Sequence, residues 1–502
     1  VMGWISGCSI QYSSFIGNKV ANGGAGIAAL YGYIKLSINK VRFINNAAIM
    51  NDGGGLLIKK ISKCAVQNAI FIRNRATNGG GIAARYGTMK LHINMVAFIS
   101  NIALQNKGGG ILVEQISICT IENTSFVENK AAYGAGIYAK NCKTRLFINR
   151  LIFIYNFASI SGGGLLLGHI SNCSLQNSSF IENKAIYQGA GVIANTVDQL
   201  YCFNCHFICE RTQAVHIEVI VIALIKNCTM KNHTASHGAG VYAETCEVLS
   251  IIHSYFLLNK VTDSGGGLCS KNVDKLLVLK SSFYGNEASH GGSIYVSNCE
   301  FSIIALSYFN RNLAHVKGGC LYFKMTNKGS KAKATINSVS FEDNNAKAKG
   351  TVIYTGILDE IYFFLIKVSS SLTKFAKITF VDMHSTKLSL ARVIFENLVK
   401  HVTILDLNFN SQALIQNITF MCHGPTYLNE FSFLHNSGTT LQVLYKCDTC
   451  YTNFYLLKSH AWFVYKQYKV KSIHLIKNPI ECHTCPPNAV CHHGSITVQP
   501  NY

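Results

Sequence analysis

The stretch from Gly108 to Asn129, GGGILVEQISICTIENTSFVEN, decides the fold. A glycine cluster opens it, Ile111 follows at once, and Phe126 with Asn129 closes it as Phe-x-x-Asn. The same order returns at Gly24/Gly26/Ile27 with Phe43/Asn46, at Gly79 to Gly81/Ile82 with Phe98/Asn101, and at Gly162 to Gly164/Leu165 with Phe180/Asn183. The last glycine of successive clusters falls at 26, 55, 81, 110, 136, 164 and 191, a repeat of 26 to 29 residues without helical punctuation. That is the length of one turn of a parallel β-helix, in which three short strands and their corners complete a lap and stack on the lap before. The expected fold class is all-β: a right-handed, single-stranded parallel β-helix of about 27 residues per coil over residues 1–445, with a small cysteine-rich module at 446–502. The gap of 49 residues between Gly191 and Gly240 holds two coils, one of them degenerate around Val215 to Leu224.

Each part of the motif has a mechanical reason. Glycines suit corners that need positive φ, or places where successive coils leave no room for a Cβ. The aliphatic residue after them points inward. Phenylalanine at a fixed place in every lap stacks into a column, and the asparagine three residues later suits a corner, because asparagine tolerates the left-handed conformation and bonds to neighbouring backbone. Asn18, Asn46, Asn74, Asn101, Asn129, Asn156 and Asn183 are therefore expected to form a structural ladder rather than a ligand-binding row. Seven residues before each phenylalanine stand Cys8, Leu36, Cys64, Leu91, Cys119, Leu146, Cys173 and Leu200. Cysteines two coils apart lie roughly 9.6 Å from each other, beyond disulfide reach, so they are expected to be buried free thiols acting as small hydrophobes.

The chain has 49% hydrophobic and 14% charged residues, and no apolar run in it is long enough to cross a bilayer. A solenoid accounts for this, because every coil buries its inner face. The net charge is +21. Its lysines fall singly after the ladder asparagines (Lys19, Lys130, Lys184, Lys260), and the dense patch Lys328/Lys331/Lys333 lacks interleaved aromatics. Nucleic acid is therefore not an expected partner; acidic glycans, other surface proteins or further copies of the chain are. A membrane would be reached only through segments outside this chain, which begins within a repeat and ends within a cysteine-rich segment and so reads as a processed piece.

Cys447, Cys450, Cys482, Cys485 and Cys491 form two CxxC pairs and a fifth cysteine, expected to be disulfide-bonded across the clusters, with a zinc site as the rival. Cys202, Cys205, Cys209 and Cys228 gather where the period breaks. Local disulfides are expected there, and metal binding is the weaker option. Cys142, Cys246 and Cys299 share one place in the coil. Sequons occur at Asn123, Asn172, Asn177, Asn227, Asn232 and Asn417. In a secreted protein Asn227, Asn232 and Asn417 are the candidate acceptors, Asn123 and Asn177 being expected to be too closely packed.

The tetrads Gly79-Gly80-Gly81-Ile82 and Phe98-Ile99-Ser100-Asn101 resemble the repeat pair of the chlamydial polymorphic outer-membrane proteins, and the likeness covers roughly residues 1–350. The resemblance implies a right-handed β-helix and an adhesive role. This chain departs from the pattern in placing Gly or Ala at the middle position and in showing no translocating C-terminal barrel. Its ending, CHTCPPNAVCHHGSITVQPNY, is similar to cysteine-rich segments that follow β-helix repeats in large eukaryotic surface proteins, which implies a secreted or cell-surface location.

Enzymes built on β-helices need paired carboxylates or a calcium cluster on one face. Here Asp and Glu total 24, and Asp52, Asp198, Asp263, Asp274 and Asp343 fall at unrelated coil positions. Glu128 and Glu182 read as solvated corner residues, and His233 and His237 as polar corner residues. No catalytic, cofactor-binding or metal-ligating set is expected, and no cofactor. The function expected is a non-enzymatic extracellular scaffold, structural or adhesive, that binds proteins, glycans or itself along its sides. The alternative is a carbohydrate-active β-helix enzyme.

Overall fold

The computed structural model describes residues 7–347, apart from 22, 105, 209–211 and 325–331, together with 352–355 and separate strands between 360 and 498. Every element among the described residues is a strand. There is accordingly no helix long and apolar enough to cross a membrane among them. The chain divides into two compact units, Val1–Val261 and Thr262–Tyr502.

In the first unit a lap begins with a long strand, such as Leu56–Gln67 or Ile111–Glu122. A three-residue strand follows (Ile70–Ile72, Ser125–Val127), then a third, short strand (Arg75–Ala76, Lys130–Tyr133). All three pair in parallel with their counterparts one lap away. The long strand is not straight. It bends at a left-handed residue: Lys60, Tyr86, Gln115, Asn141 and His169 have φ between 52° and 59°. Small side chains line the third wall, where Ala103, Ala131, Ala158 and Ala185 pack together.

The glycines serve two needs at different positions. Gly79 has φ +61°, which an L side chain rarely adopts. Gly81 is held by crowding, since a Cβ there would lie 2.6 Å from the Gly110 carbonyl and 2.8 Å from the Phe98 ring. Just inside, Phe15, Phe43, Phe71, Phe98, Phe126, Phe153, Phe180 and Phe207 stack face to face with centroids 4.5 to 5.3 Å apart. The cysteines and leucines alternate in one register, Cys64 pairing with Leu91 and Leu91 with Cys119. Cys64, Cys119 and Cys173 are buried free thiols. Burial alone pushes Cys64 up to about 12, so it stays protonated and acts as a hydrophobe.

The ladder asparagines lie next to the phenylalanine column. Asn101 accepts at its Oδ1 from both the backbone N–H and the Nδ2 of Asn74, at 3.0 Å each. Its own Nδ2 donates to Asn129 Oδ1 and to the Phe71 carbonyl. The pattern holds from Asn18 to Asn183, and from Asn46 onward these side chains are buried. The left-handed conformation, however, does not belong to the ladder asparagine. It falls on the residue before it: Asn45, Arg73, Ser100, Glu128, Tyr155 and Glu182 have φ between 50° and 55°. The reason is that the turn is made before the asparagine points inward, so the asparagine is placed by its hydrogen bonds.

The degenerate lap is short and in register. Val215–Lys226 pairs with Val192–Phe203 on one side and Val241–Ile252 on the other, 23 residues (215 minus 192) after its predecessor. Met230 stands in the phenylalanine column between Phe207 and Phe256. His233 takes the asparagine's place, its N–H donating to Asn259 Oδ1 and its Nε2 to the Phe207 carbonyl.

The second unit repeats this grammar. Phe283, Phe309 and Phe341 stack at 4.9 and 5.2 Å. Asn286, Asn312 and Asn344 form a ladder of the same kind. A tyrosine stack, Tyr295, Tyr322 and Tyr354, is added at 5.2 and 5.0 Å. Parallel pairing continues to Ala413–Met421, which lies beside Lys387–Glu396. Beyond it the pairing is antiparallel, with Thr426–Asn436 against Thr440–Thr449.

Candidate functional site

The bend of the long strand is a repeated corner whose central side chain points to solvent, and it carries a groove. A left-handed bend takes any side chain that tolerates positive φ, so the column varies where the inner columns do not. Lys60, Tyr86, Gln115, Asn141 and His169 succeed one another along it. With Gly87, Ser117, Lys143 and Ser171 they line a groove of about 750 Å³ across five laps. Two lysines stand among amides, hydroxyls and the His169 ring, and no carboxylate is in the lining. The Lys60 ammonium lies 4.9 Å from the Tyr31 ring centroid.

Beside the groove, three laps contribute an ion-pair network. The Arg85 guanidinium, stacked 5.3 Å from the Tyr86 ring, donates to Asp52 Oδ2 at 2.6 Å and through Nε to Glu114 Oε2 at 2.7 Å. Asn78 Nδ2 donates to the other Asp52 oxygen, and Lys107 lies 3.9 Å from Glu114. The two carboxylates hold Arg85 above its usual range, against the opposing effect of its burial. Asp52 and Glu114 are thus fixed acceptors of one cation. Sequence reasoning placed the aspartates at unrelated positions and missed this network, because 33 and 29 residues separate Arg85 from its partners.

A second cluster marks the short lap. Cys202 occupies the inward place that Leu175 holds one lap earlier. Cys205 and Cys228 are corner residues in successive laps, at a place that Ser178 holds before them and Ser254 after. The three sulfurs lie within 4.8 Å of one another and are buried. Cys202 Sγ and Cys228 Sγ are 3.6 Å apart, which is a thiol contact. The expected local disulfides are therefore not formed among these three; Cys209 lies outside the described residues. Thiol donation from Cys202 and Cys205 pushes Cys228 well down, while Cys202 and Cys205 are pushed up. Cys142 and Cys246 are buried and not disulfide-bonded. The neighbour of Cys246 in the preceding lap is Ile220, so it has no cysteine beside it there.

The structure places the other candidates as follows. Asn227 and Asn232 are exposed at left-handed corners, φ 54° and 59°. Asn123 and Asn177 are exposed in the same way, so packing does not set them apart from Asn227. All three belong to a second, outer ladder that the sequence did not disclose: Asn123 Nδ2 donates to Asn94, Asn177 to Asn149 and Asn227 to Asn204. Cys450 and Cys485 lie outside the described residues, as do the side chains of Cys447, Cys482, Cys491 and Asn417.

Comparison with known proteins adds a likeness to receptor-like and outer-membrane proteins. The chain is 26% identical over 361 residues to metabotropic glutamate receptor-like protein P of Dictyostelium discoideum, covering 64% of this chain and 24% of that protein. It is 27% identical over 219 residues to receptor-like protein R of the same organism, covering 40% of the chain and 13% of the relative. To the probable outer membrane protein PmpD of Chlamydia trachomatis it is 27% identical over 203 residues, 38% of the chain and 13% of that protein. The chain thus spans about a quarter or less of these relatives' lengths. No family model matches it, and no solved structure does.

Proposed function

We propose that this chain is a non-enzymatic scaffold at a cell surface that holds an acidic polysaccharide along the bend of its laps. The observation that carries this reading is the groove over five laps, in which Lys60, Lys143 and His169 stand among amides, hydroxyls and the Tyr86 ring without a lining carboxylate. Uronate or sulfate groups would meet the cations, sugar hydroxyls would meet Gln115, Ser117, Asn141 and Ser171, and a sugar face would lie on Tyr86. The spacing suits a polymer, because the lining recurs with every lap at about 4.8 Å. The relatives are described as receptor-like and outer-membrane proteins, which supports a surface location. Other surface proteins and further copies of this chain are the remaining classes of partner.

The competing reading, a carbohydrate-active enzyme, would have a place to stand beside the groove at the Asp52/Glu114 pair next to Tyr86. Both carboxylates are committed to Arg85, which argues against a free general acid or base there. The test is calorimetric titration with polygalacturonate at several salt concentrations. Binding is expected to weaken with added salt. The double variant Lys60→Ser/Lys143→Ser should lose about tenfold in affinity or more, each exposed charge contact being worth roughly 1 kcal/mol. Unchanged affinity in that variant would move the binding face elsewhere.

A further inference from the structure

Three cysteines at the break in the period, on two successive laps, are arranged unlike any of the other described buried thiols. The cysteines of the Cys/Leu column alternate with leucine, so neighbouring laps never present two of them together. At the break the sequence Cys202-Phe203-Asn204-Cys205 brings one inward and one corner thiol together within a single lap. The step to the next lap, shortened to 23 residues (215 minus 192), sets Cys228 directly above Cys205. The result is a triangle of sulfurs, all within 4.8 Å, with Cys202 and Cys228 at 3.6 Å.

That separation is informative. Three thiolates bound to one ion at a metal–sulfur distance of about 2.3 Å lie roughly 3.7 to 4.0 Å apart. A disulfide would instead need about 2.05 Å. We propose that Cys202, Cys205 and Cys228 form a binding site for one thiophilic metal ion of the zinc or copper(I) kind, acquired as the two laps close. Soft thiolate ligands select such ions over magnesium or calcium. Each thiol that ligates gives its proton to solvent, so uptake is pH-dependent, and because the site is buried the ion is taken up during folding. The site would pin the lap that begins at Val215, which lacks both the glycine corner and the ladder asparagine.

The corner column supplies a test that does not depend on a risky substitution. Serine occupies it at Ser178 and Ser254, donating back to a carbonyl two residues earlier as Cys228 does. Cys228→Ser should therefore fold, and Cys205→Ser is the second variant by the same logic. The full chain, reduced and stripped of metal under denaturing conditions, is refolded with cadmium, zinc or copper(I) in separate arms. It is read by thiolate-to-metal charge-transfer absorption and by bound metal per chain. One cadmium per wild-type chain is expected, with at least a tenfold loss of affinity in either variant and none in the control Cys119→Ser, whose thiol lies outside the triangle. The zinc and copper(I) arms, run in competition with cadmium, identify the physiological class. Two results overturn the proposal. One is a disulfide-linked peptide joining Cys228 to Cys202 or Cys205 in protein isolated under acid quench. The other is the same metal stoichiometry in Cys228→Ser and Cys205→Ser as in wild type.

Discussion

Asn101 shows how much one side chain carries. It satisfies two donors of Asn74, one carbonyl and one acceptor of Asn129, all buried. Asn101→Ala leaves several of these groups unpaired and is expected to cost roughly 3 kcal/mol or more in a denaturant titration. Asn123→Gly, at an exposed left-handed corner of the outer ladder, should cost less than about 1 kcal/mol. His233 gives the pH dependence. Burial holds its pKa down to about 4, against an ordinary value near 6.5. Between those values the unfolded chain binds a proton that the folded chain refuses. Stability is therefore complete above about pH 6.5 and falls as pH drops toward 4, by about 3 kcal/mol at most. His233→Asn restores the usual ladder residue and should flatten that part of the stability curve. The inner ladder was legible because its chemistry places asparagine at Asn18, Asn46, Asn74, Asn101, Asn129, Asn156 and Asn183, seven laps in succession. The outer one was hidden, because it draws on two positions, Asn94 and Asn149 before the corner and Asn123, Asn177, Asn204 and Asn227 at it.

At the level of the strand and corner, the glycine clusters were legible as turning points, and the structure separates their two causes. Gly81→Ala keeps an allowed backbone but drives a Cβ into Gly110 and Phe98, and overpacking of this kind is expected to cost about 1–3 kcal/mol. Phe98→Ala removes a ring stacked on two others and should cost about 3–5 kcal/mol. The bend of the long strand left no mark in the sequence. Its central residue changes from Lys60 to Tyr86 to Gln115 because that side chain faces solvent, and the groove follows that variable column. The thiol cluster was legible as an anomaly of spacing. Its state was not, since whether sulfurs bond depends on separations of an ångström that the sequence does not encode.

At the scale of the chain, the inner columns repeat and are buried, while the column at the bend varies and faces solvent. Buried thiols give a check on the inner register. Iodoacetamide should leave Cys64, Cys119 and Cys173 unmodified in the native protein and modify all three after denaturation; labelling in the native state would misplace that column. The fold could be read from the sequence because stacking keeps each inner column to a few residue types, such as phenylalanine with one methionine or cysteine alternating with leucine. Function was harder to read, because the groove assembles from single residues about 27 apart, among which no local motif exists. The most direct test of the scaffold reading is to incubate the protein with polygalacturonate and follow complex formation and polymer length in the same sample. The account predicts a salt-sensitive complex in which the polymer keeps its length. Progressive shortening of the polymer, abolished by Glu114→Gln, would contradict it.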